Sequence, residues 1–323
     1  MTHFIGVDIA KHSFDVATLQ ANGKYRTKGK LPNQASGFAE FERWLQAHTQ
    51  PGSWIVMEAT GPYYEALAEH AHARGYPVCV LNPAQVAHYA QSQLQRVKTD
   101  RVDARLIASY AQRHADLLRP WQPDPPPLKG LKALVRRLQD LQEIERMELN
   151  RLDVAQACVR DSITSVIAHV QQQIAQTQQA IRDHIDQDPT LREQGKLLIS
   201  IDGIGEKTAA LLLAGLGDAR RFNDTGAVTA FAGLNPRLQE SGRHKGKVRI
   251  SRLGSSQLRA GLYMPALTAM THNPAIHALK ERLKASGKTG KQIVCAAMRK
   301  LLCIAYGVLK SGKPFDPKLA IAR

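Results

Sequence analysis

The chain has 323 residues, and its 44 Lys and Arg against 28 Asp and Glu give a formal net charge of +16. Residues 196–323 hold 22 of these basic residues and only 7 of the acidic ones, which indicates a polyanionic partner for that part of the chain. No apolar run has the length of a membrane span and no signal peptide is evident, so we expect a cytoplasmic protein without a membrane partner. The four cysteines form no Cys-x-x-Cys pair, which argues against a zinc site and favours reduced thiols.

The N-terminal part alternates short apolar strands with amphipathic helices, a pattern that predicts an α/β sheet domain. The first strand contains a single acid, Asp8, and the second buried strand ends at another, Glu58. The predicted elements are a hairpin of Phe4–Ala10 with Ser13–Leu19, a helix through Phe38 and Trp44, a strand at Trp54–Met57, a helix through Tyr64 and Leu67, and a strand at Val78–Leu81.

Four carboxylates, two of them on the predicted strands and two in a further predicted helix, are candidates for a metal site. Asp100 and Asp103 lie three residues apart in Lys98–Arg105, so a helix there places both on one face. Taken alone, the pair also fits a solvated helix start, with acids at the positive end of the helix dipole. A carboxylate within an apolar strand, such as Asp8, is costly unless it is paired or coordinated. Together with Glu58 the set is typical of a two-metal phosphodiester site that binds Mg²⁺ or Mn²⁺.

An alternative is open for the start of the chain. Gly6-Val7-Asp8-Ile9-Ala10 also suits the first phosphate loop of the actin and sugar-kinase superfamily, which shares the hairpin. Against it, the chain has no second Asp-Gly-Gly/Thr loop and carries the large basic segment.

The middle of the chain predicts a linker followed by long helices. The prolines of Pro120–Pro127 indicate a non-helical linker. From Leu128 to about Asp188, leucines and isoleucines recur at spacings of three and four, as in a coiled coil. This segment is interpreted as a dimerising coiled coil, with a helical hairpin inside one chain as the alternative.

Two motifs in the basic part suit phosphate contacts. Gly203-Ile204-Gly205 between apolar helices predicts a helix-hairpin-helix, whose turn and following Lys207 can contact a nucleic-acid backbone; a plain helical corner is the alternative. The glycine-spaced segment from Arg237 to Arg259 predicts a flexible basic loop that lies on phosphates. Its cations are Arg237, Arg243, Lys245, Lys247, Arg249, Arg252 and Arg259, and it contains Ser241, which by itself suggests only a hydrogen-bonding loop residue. The helices beyond it are expected to pack around Met264, Leu267, Met298 and Leu301.

In combination these motifs resemble the DEDD transposases of bacterial insertion sequences, the recombinases described as guided by a bridge RNA. The resemblance covers essentially the whole chain. It rests on Gly6-Val7-Asp8, Met57-Glu58-Ala59-Thr60-Gly61, the segment Lys98–Arg105, Gly203-Ile204-Gly205, Phe231-Ala232-Gly233-Leu234-Asn235-Pro236, Glu240-Ser241-Gly242, Leu262-Tyr263-Met264-Pro265-Ala266 and the segment Tyr306–Gly312.

The resemblance implies an α/β RNase H-like (RuvC-like) domain at 1–119, a linker and coiled coil at 120–192, and a mainly α transposase domain with a helix-hairpin-helix at 193–323. Asp8, Glu58, Asp100 and Asp103 would then bind Mg²⁺ (or Mn²⁺), and Ser241 would attack the DNA phosphate to form a phosphoserine link. Lys98, Arg101 and Arg105 would contact nucleic acid beside the acids.

The implied partners are donor and target DNA, a guide RNA, and further copies of the chain in a dimer or synaptic tetramer. Two other functions stay open on the residues alone. One is a junction-resolvase-like hydrolase that uses water, and the other is a non-catalytic nucleic-acid-binding protein.

Overall fold

The computed structural model describes residues 3–59, 61–94, 99–237, 240–241, 244–245 and 249–318. The chain divides into two compact units, residues 1–123 and 124–323. The finer division of the second unit into a coiled coil and a transposase domain stays a prediction.

The first unit is an α/β domain built on a five-stranded mixed sheet of order β3-β2-β1-β4-β5. β1 pairs with β2 and β2 with β3 in antiparallel fashion, whereas β1–β4 and β4–β5 are parallel. This arrangement is compatible with the expected RNase H-like fold. The elements are β1 (Phe4–Ile9), β2 (Ser13–Leu19), β3 (Tyr25–Pro32), α1 (Ala35–His48), β4 (Trp54–Glu58), α2 (Glu65–Ala73), β5 (Val78–Leu81), α3 (Pro83–Ser92) and α4 (Asp100–Arg113).

The two faces of the sheet carry different cores because successive side chains alternate across it. Ile5, Val7 and Met57 pack on one face against α1 and α2, around Phe41 and Leu67. The opposite face carries Val56, Cys79 and Leu81, which pack with Ile107 and Tyr110 of α4. Residues of the same parity as Val56, namely Gly6, Asp8 and Glu58, therefore belong to the α4 face.

Helix α4 lies directly on β1 at Gly6. A Cβ at this position would be 2.2 Å from the carbonyl oxygen of Ala104 and 2.3 Å from the backbone nitrogen of Ala108. Any side chain larger than hydrogen would therefore push the helix away from the strand.

Two elements of this unit were missed by the sequence interpretation, strand β3 and helix α3. Strand β3 lies at the sheet edge and carries Arg26, Lys28 and Lys30, so it lacks the apolar alternation by which buried strands are recognised. Asn82-Pro83, interpreted as a turn, begins α3: the Asn82 side chain accepts a hydrogen bond from the Ala84 backbone N–H, and Pro83 occupies the first helical position.

The second unit is mainly helical, and the described residues between α9 and α10 include four two-residue strands. Its elements are α5 (Pro126–Asp153), α6 (Ala157–Gln187), α7 (Pro189–Ile199), α8 (Glu206–Leu216), α9 (Thr225–Phe231), β6 (Pro236–Arg237), β7 (Glu240–Ser241), β8 (His244–Lys245), β9 (Arg249–Ile250), α10 (Ser256–Gly261), α11 (Tyr263–His272), α12 (Pro274–Ala285) and α13 (Gly290–Ser311).

The predicted linker is two residues shorter than expected, because Pro126 and Pro127 begin α5. Proline is tolerated there since the first N–H groups of a helix have no intrahelical acceptor to lose.

Helices α5 and α6 form an antiparallel pair within the chain. Gln171 donates to Glu145 Oε1 across the pair at 2.9 Å, and His184 contacts the carbonyl oxygen of Pro127 at 2.7 Å. Leu131, Val135 and Ile181 join the main core of the unit, so part of the apolar seam is covered by α7 and α8. Large apolar side chains stay exposed around the connection of the two helices: Met147, Leu149, Val154, Val159 and Val166. An intermolecular coiled coil stays a prediction.

Two expectations for the last helices need correction. The predicted helix from Leu258 to Met270 is broken at Leu262 into α10 and α11, and Met264 is 65% exposed rather than part of the core, whereas Met298 and Leu301 are buried. Helix α13 is apolar and long enough to cross a membrane by length and composition, but more than half of its apolar window is buried in the unit.

The contact at Gly6 gives a stability prediction for the first unit. Gly6→Ala should destabilise it by about 2–4 kcal/mol, because the added methyl overlaps the α4 backbone, which cannot rotate aside. Urea unfolding followed by tryptophan fluorescence reports on this unit, since Trp44, Trp54 and Trp121 all lie within it. The exposed control Gln46→Ala should stay within about 0.5 kcal/mol of wild type. An unchanged midpoint for Gly6→Ala would contradict the close approach of α4 to β1.

Candidate active site

Three elements of the first unit bring the four predicted acids to one region. Asp8 is the fifth residue of β1 and Glu58 ends the parallel strand β4, so both lie toward the carboxyl ends of adjacent strands on the face that α4 covers. Helix α4 begins at Asp100, and its first turn contains Asp100 and Asp103. Carboxyl ends of parallel strands are where sites on such sheets gather.

The start of α4 is fixed by a local cap. The backbone N–H of Val102 donates to the Thr99 side chain at 3.4 Å, and the N–H groups of Val102 and Asp103 donate to the Thr99 carbonyl oxygen at 2.8 and 2.9 Å. Since the contact at Gly6 fixes the next turns, the cap sets where the first turn and its two acids lie.

The electrostatics of Asp8 place the acids close enough to interact. The pKa of Asp8 is raised from 3.8 to about 7, first by burial and then by the negative charges of Asp103, Asp100, Glu58 and Asp15, in that order. Like charges and loss of water both disfavour the ionised form, and a bound cation reverses both effects.

Asp15, the last of these acids, was missed by the sequence interpretation. It is the register partner of Asp8 in the β1–β2 ladder and is only 5% exposed. The signal that singled out Asp8, one acid within an apolar strand, is also present in Ser13–Leu19.

The donor set suits Mg²⁺ or Mn²⁺, because hard divalent cations prefer carboxylate oxygens. Among the residues that the structure describes, however, no three Asp, Glu, His or Cys side chains are arranged as a formed metal cluster. The four acids thus lie in one region on the α4 face of the sheet, and the charges of the other three raise the pKa of Asp8 in addition to burial. Their roles as metal ligands stay a prediction.

In the second unit, the predicted flexible loop is organised as short two-stranded ribbons. β6 pairs with β9, and β7 pairs with β8 in a register that joins Glu240 to Lys245 and Ser241 to His244. Ser241 therefore lies on the inner of the two ribbons. The flexibility expected from the glycines stays a prediction, since the structure describes only part of this segment.

The base of the ribbons is fixed by close backbone contacts. Ser251 N–H donates to the Asn235 carbonyl oxygen at 2.8 Å, and Ser255 N–H donates to that of Phe231 at 2.8 Å. Gly254 has φ +135°, and a Cβ there would be 2.3 Å from the carbonyl oxygen of Phe231. Arg259, predicted to bind nucleic acid, donates to the carbonyl oxygen of Ala232 at 3.1 Å, so at least part of its guanidinium holds this base.

Of the remaining residues that are predicted to bind nucleic acid, the structure describes some and not others. Lys98, Arg243 and Lys247 lie outside the described residues, and only the backbone of Lys245 is described. The others have exposed side chains, and their contacts with nucleic acid stay predictions: Arg101, Arg105, Lys207, Arg237, Arg249 and Arg252.

The Gly203-Ile204-Gly205 turn joins α7 to α8 as the pattern predicted. Gly203 has φ +100° and lies against α11, where a Cβ would be 2.7 Å from that of Ala269. Gly205 precedes α8, and a Cβ there would meet no atom within 4 Å. Packing therefore explains Gly203 by itself, and a phosphate contact at Gly205 stays a prediction.

Two acids lie toward the ends of neighbouring strands and two in the first turn of the covering helix, as the resemblance to DEDD transposases predicts. Comparison with known proteins agrees. The DEDD IS110 family model, described as "Transposase", matches residues 5–155, and the model described as "Transposase IS116/IS110/IS902 family" matches residues 195–281. The chain belongs to the IS110 family of DEDD transposases.

Relatives span nearly its whole length. The chain is 35% identical over 321 residues to the pilin gene-inverting protein of Moraxella bovis, covering 98% of each chain. It is 23% identical over 347 residues to the transposase for insertion sequence element IS1328 of Yersinia enterocolitica, covering 97% of this chain and 98% of that one.

The raised pKa of Asp8 gives a prediction for stability against pH. Since Asp8 keeps its proton up to about pH 7 in the folded state and releases it near pH 3.8 in the unfolded state, the contribution of Asp8 to stability falls as pH rises between these values. In EDTA, Asp8→Asn should match wild type near pH 4 and be more stable above pH 7, by on the order of 1–3 kcal/mol after allowance for solvent screening.

Thermal unfolding followed by tryptophan fluorescence measures this difference. The control Asp116→Asn, at an exposed acid of the same unit, should follow wild type at every pH. A stability difference for Asp8→Asn that stays constant from pH 4 to pH 8 would contradict the shift.

Proposed function

We propose that this transposase cuts and exchanges DNA strands through a covalent phosphoserine at Ser241, with Asp8, Glu58, Asp100 and Asp103 binding Mg²⁺. The observation that carries the proposal is the raised pKa of Asp8, to which burial contributes most and the negative charges of the other three acids, on two different elements, contribute next. Four carboxylates held against mutual repulsion are best explained by a cation that relieves it.

The cation, when bound, would stabilise negative charge on the phosphate. The chain's own residues do the rest. The acids are held by two strand ends and one capped helix turn, and the exposed cations of the ribbon segment hold phosphates without reading sequence.

Ser241 acts as the nucleophile in this proposal. Its Oγ bonds to phosphorus as the bond from phosphorus to one deoxyribose oxygen breaks; Oγ gives up its proton, and the released sugar hydroxyl takes one up. Attack on the phosphoserine by a hydroxyl from another DNA end reverses these changes and joins the exchanged strands. The anchored base of the ribbons supports the role, because a nucleophile has to be held in position.

The proposed partners are donor and target DNA, a guide RNA that reads sequence by base pairing, and other copies of the chain, acting in the cytoplasm. The names of the relatives, a gene-inverting protein and transposases, support strand exchange between two DNA sites. Met147, Val159 and Val166, exposed around the α5–α6 connection, support self-association.

A hydrolase that uses water is the alternative that the acids equally support, since the same four carboxylates would serve it. A non-catalytic nucleic-acid-binding protein would need the basic segment alone. The variants Ser241→Ala and Asp100→Asn separate the three functions.

Covalent trapping tests the serine. Protein purified with its co-expressed RNA is mixed with labelled donor and target DNA and Mg²⁺, then resolved under denaturing conditions. We expect a DNA-linked band that is lost in Ser241→Ala and in Asp100→Asn but kept in the controls Ser251→Ala and Ser255→Ala. Free cleaved DNA that Ser241→Ala still produces would establish the hydrolase, and unchanged DNA binding without any cleavage in wild type would establish the non-catalytic protein.

Mixing the two inactive variants tests how the serine and the acids meet. If they come from different copies of the chain, a mixture of Ser241→Ala and Asp100→Asn restores the DNA-linked band, because some assemblies contain one intact site. Each variant alone gives no band. A mixture that stays inactive, while gel filtration shows mixed oligomers, would place serine and acids of one site in the same chain.

A further inference from the structure

The buried carboxylate of Asp15 has no role in the proposed reaction, yet it lies beside the acids. Two residues of β3, Gly29 and Lys30, oppose it, because the β2–β3 ladder shifts register between Phe14 and Val16. Such a bulge leaves backbone groups outside the ladder. Here the Lys30 N–H donates to Asp15 Oδ2 at 3.3 Å, and Lys30 has the left-handed φ of 58°.

The other oxygen of Asp15 and the side chain of Arg101, a cation on α4, both border the space beside Gly29. A Cβ at Gly29 would lie 2.2 Å from Asp15 Oδ1 and 3.2 Å from Arg101 Nε, so both charged groups border the space that Gly29 leaves. Gly29 is not among the residues with positive φ, so its lack of a side chain, and not its conformation, is what this geometry requires. The attraction between opposite charges is screened less by water and salt when one of them is buried, as Asp15 is.

Arg101 is the second residue of α4 and lies between the acids of its first turn. Repulsion between these acids and Asp8 pushes the first turn away from the sheet. Attraction between Arg101 and Asp15 would pull the same turn toward the sheet. The Asp15 carboxylate is itself held in place by the hydrogen bond from Lys30 of β3.

From this geometry we infer that Asp15 and Arg101 are positioning residues: their attraction across Gly29 holds the first turn of α4 against the sheet, so that Asp100 and Asp103 stay beside Asp8 before any cation binds. Arg101 is thereby assigned to the sheet and not to nucleic acid. The consequence for metal binding rests on the proposed function, whereas the position of the turn does not.

Amide hydrogen exchange tests the position directly, in EDTA and without DNA. The informative amides are those of residues 104–107, whose helical hydrogen bonds return to the first turn. Asp15→Asn keeps an oxygen that can accept from Lys30 and removes only the charge, and Arg101→Gln is its counterpart on α4. Each should speed exchange about fivefold to tenfold, and the double variant no more than either one. Arg101→Lys, which keeps the charge, should restore most of the protection.

Two further variants separate charge from packing. Gly29→Ala leaves both charges and fills the space between them, so it should reproduce the faster exchange. The control Arg113→Gln changes an exposed cation in the last turn of the same helix and should leave residues 104–107 unchanged. Unchanged exchange in Asp15→Asn and Arg101→Gln, or additive effects in the double variant, would overturn the inference.

Titration with Mg²⁺ gives a second measurement, which would not change if Asp15 and Arg101 had a purely structural role. The Mg²⁺ concentration for half of the shift in Tm should rise in Asp15→Asn and Arg101→Gln but not in Arg113→Gln, because the first two must also fix the turn on binding. Equal concentrations in all four proteins would overturn the link to the acids. If wild type shows no Mg²⁺ shift, the proposed metal site fails, while the exchange data still decide the role of Asp15 and Arg101.

Discussion

The direct contact of helix α4 with strand β1 at Gly6 is the constraint on which the acidic site depends. Ala104 and Ala108 approach the strand backbone so closely that no side chain fits between them. This contact fixes the height of α4 above the sheet, and the Thr99 cap fixes where its first turn begins. Asp100 and Asp103 therefore reach the strand that carries Asp8 through backbone packing, not through any attraction between the acids themselves.

The same packing creates the electrostatic difficulty that defines the site. Burial first, and then the negative charges of the neighbouring acids, raise the pKa of Asp8 to about 7, so keeping these carboxyl groups together lowers the stability of the folded chain. An apolar residue in place of one acid would make the folded chain more stable. The acids present there instead form a charge arrangement that suits a cation. This is the usual relation between a functional site and the fold that supports it.

Much of this could be predicted from the sequence, and the omissions have physical causes. Asp8 and Glu58 are recognisable because acids stand out in apolar strands, and Asp100 and Asp103 because their spacing matches a helical turn. Asp15, like Asp8, is a single acid within an apolar strand. Its proximity to Asp8, however, follows from the register of the β1–β2 ladder, which depends on how the hairpin is connected. Strand β3 could not be found by apolar alternation because it is a basic edge strand. Met264 is predicted in the core because the helix break at Leu262 leaves no signature in the apolar pattern; in the structure its side chain is exposed.

The distribution of charge along the chain has a consequence for how such a site meets DNA. Carboxylates repel a phosphodiester, as those of the first unit would without a bound cation, whereas basic residues such as those concentrated in the second unit attract phosphates without selecting sequence. Under the proposed function, the second unit holds the strand and the metal requirement restricts cutting to DNA that reaches the acids. A protein that binds phosphates so widely needs this separation, because cleavage at every contacted phosphate would destroy the molecule that it recombines.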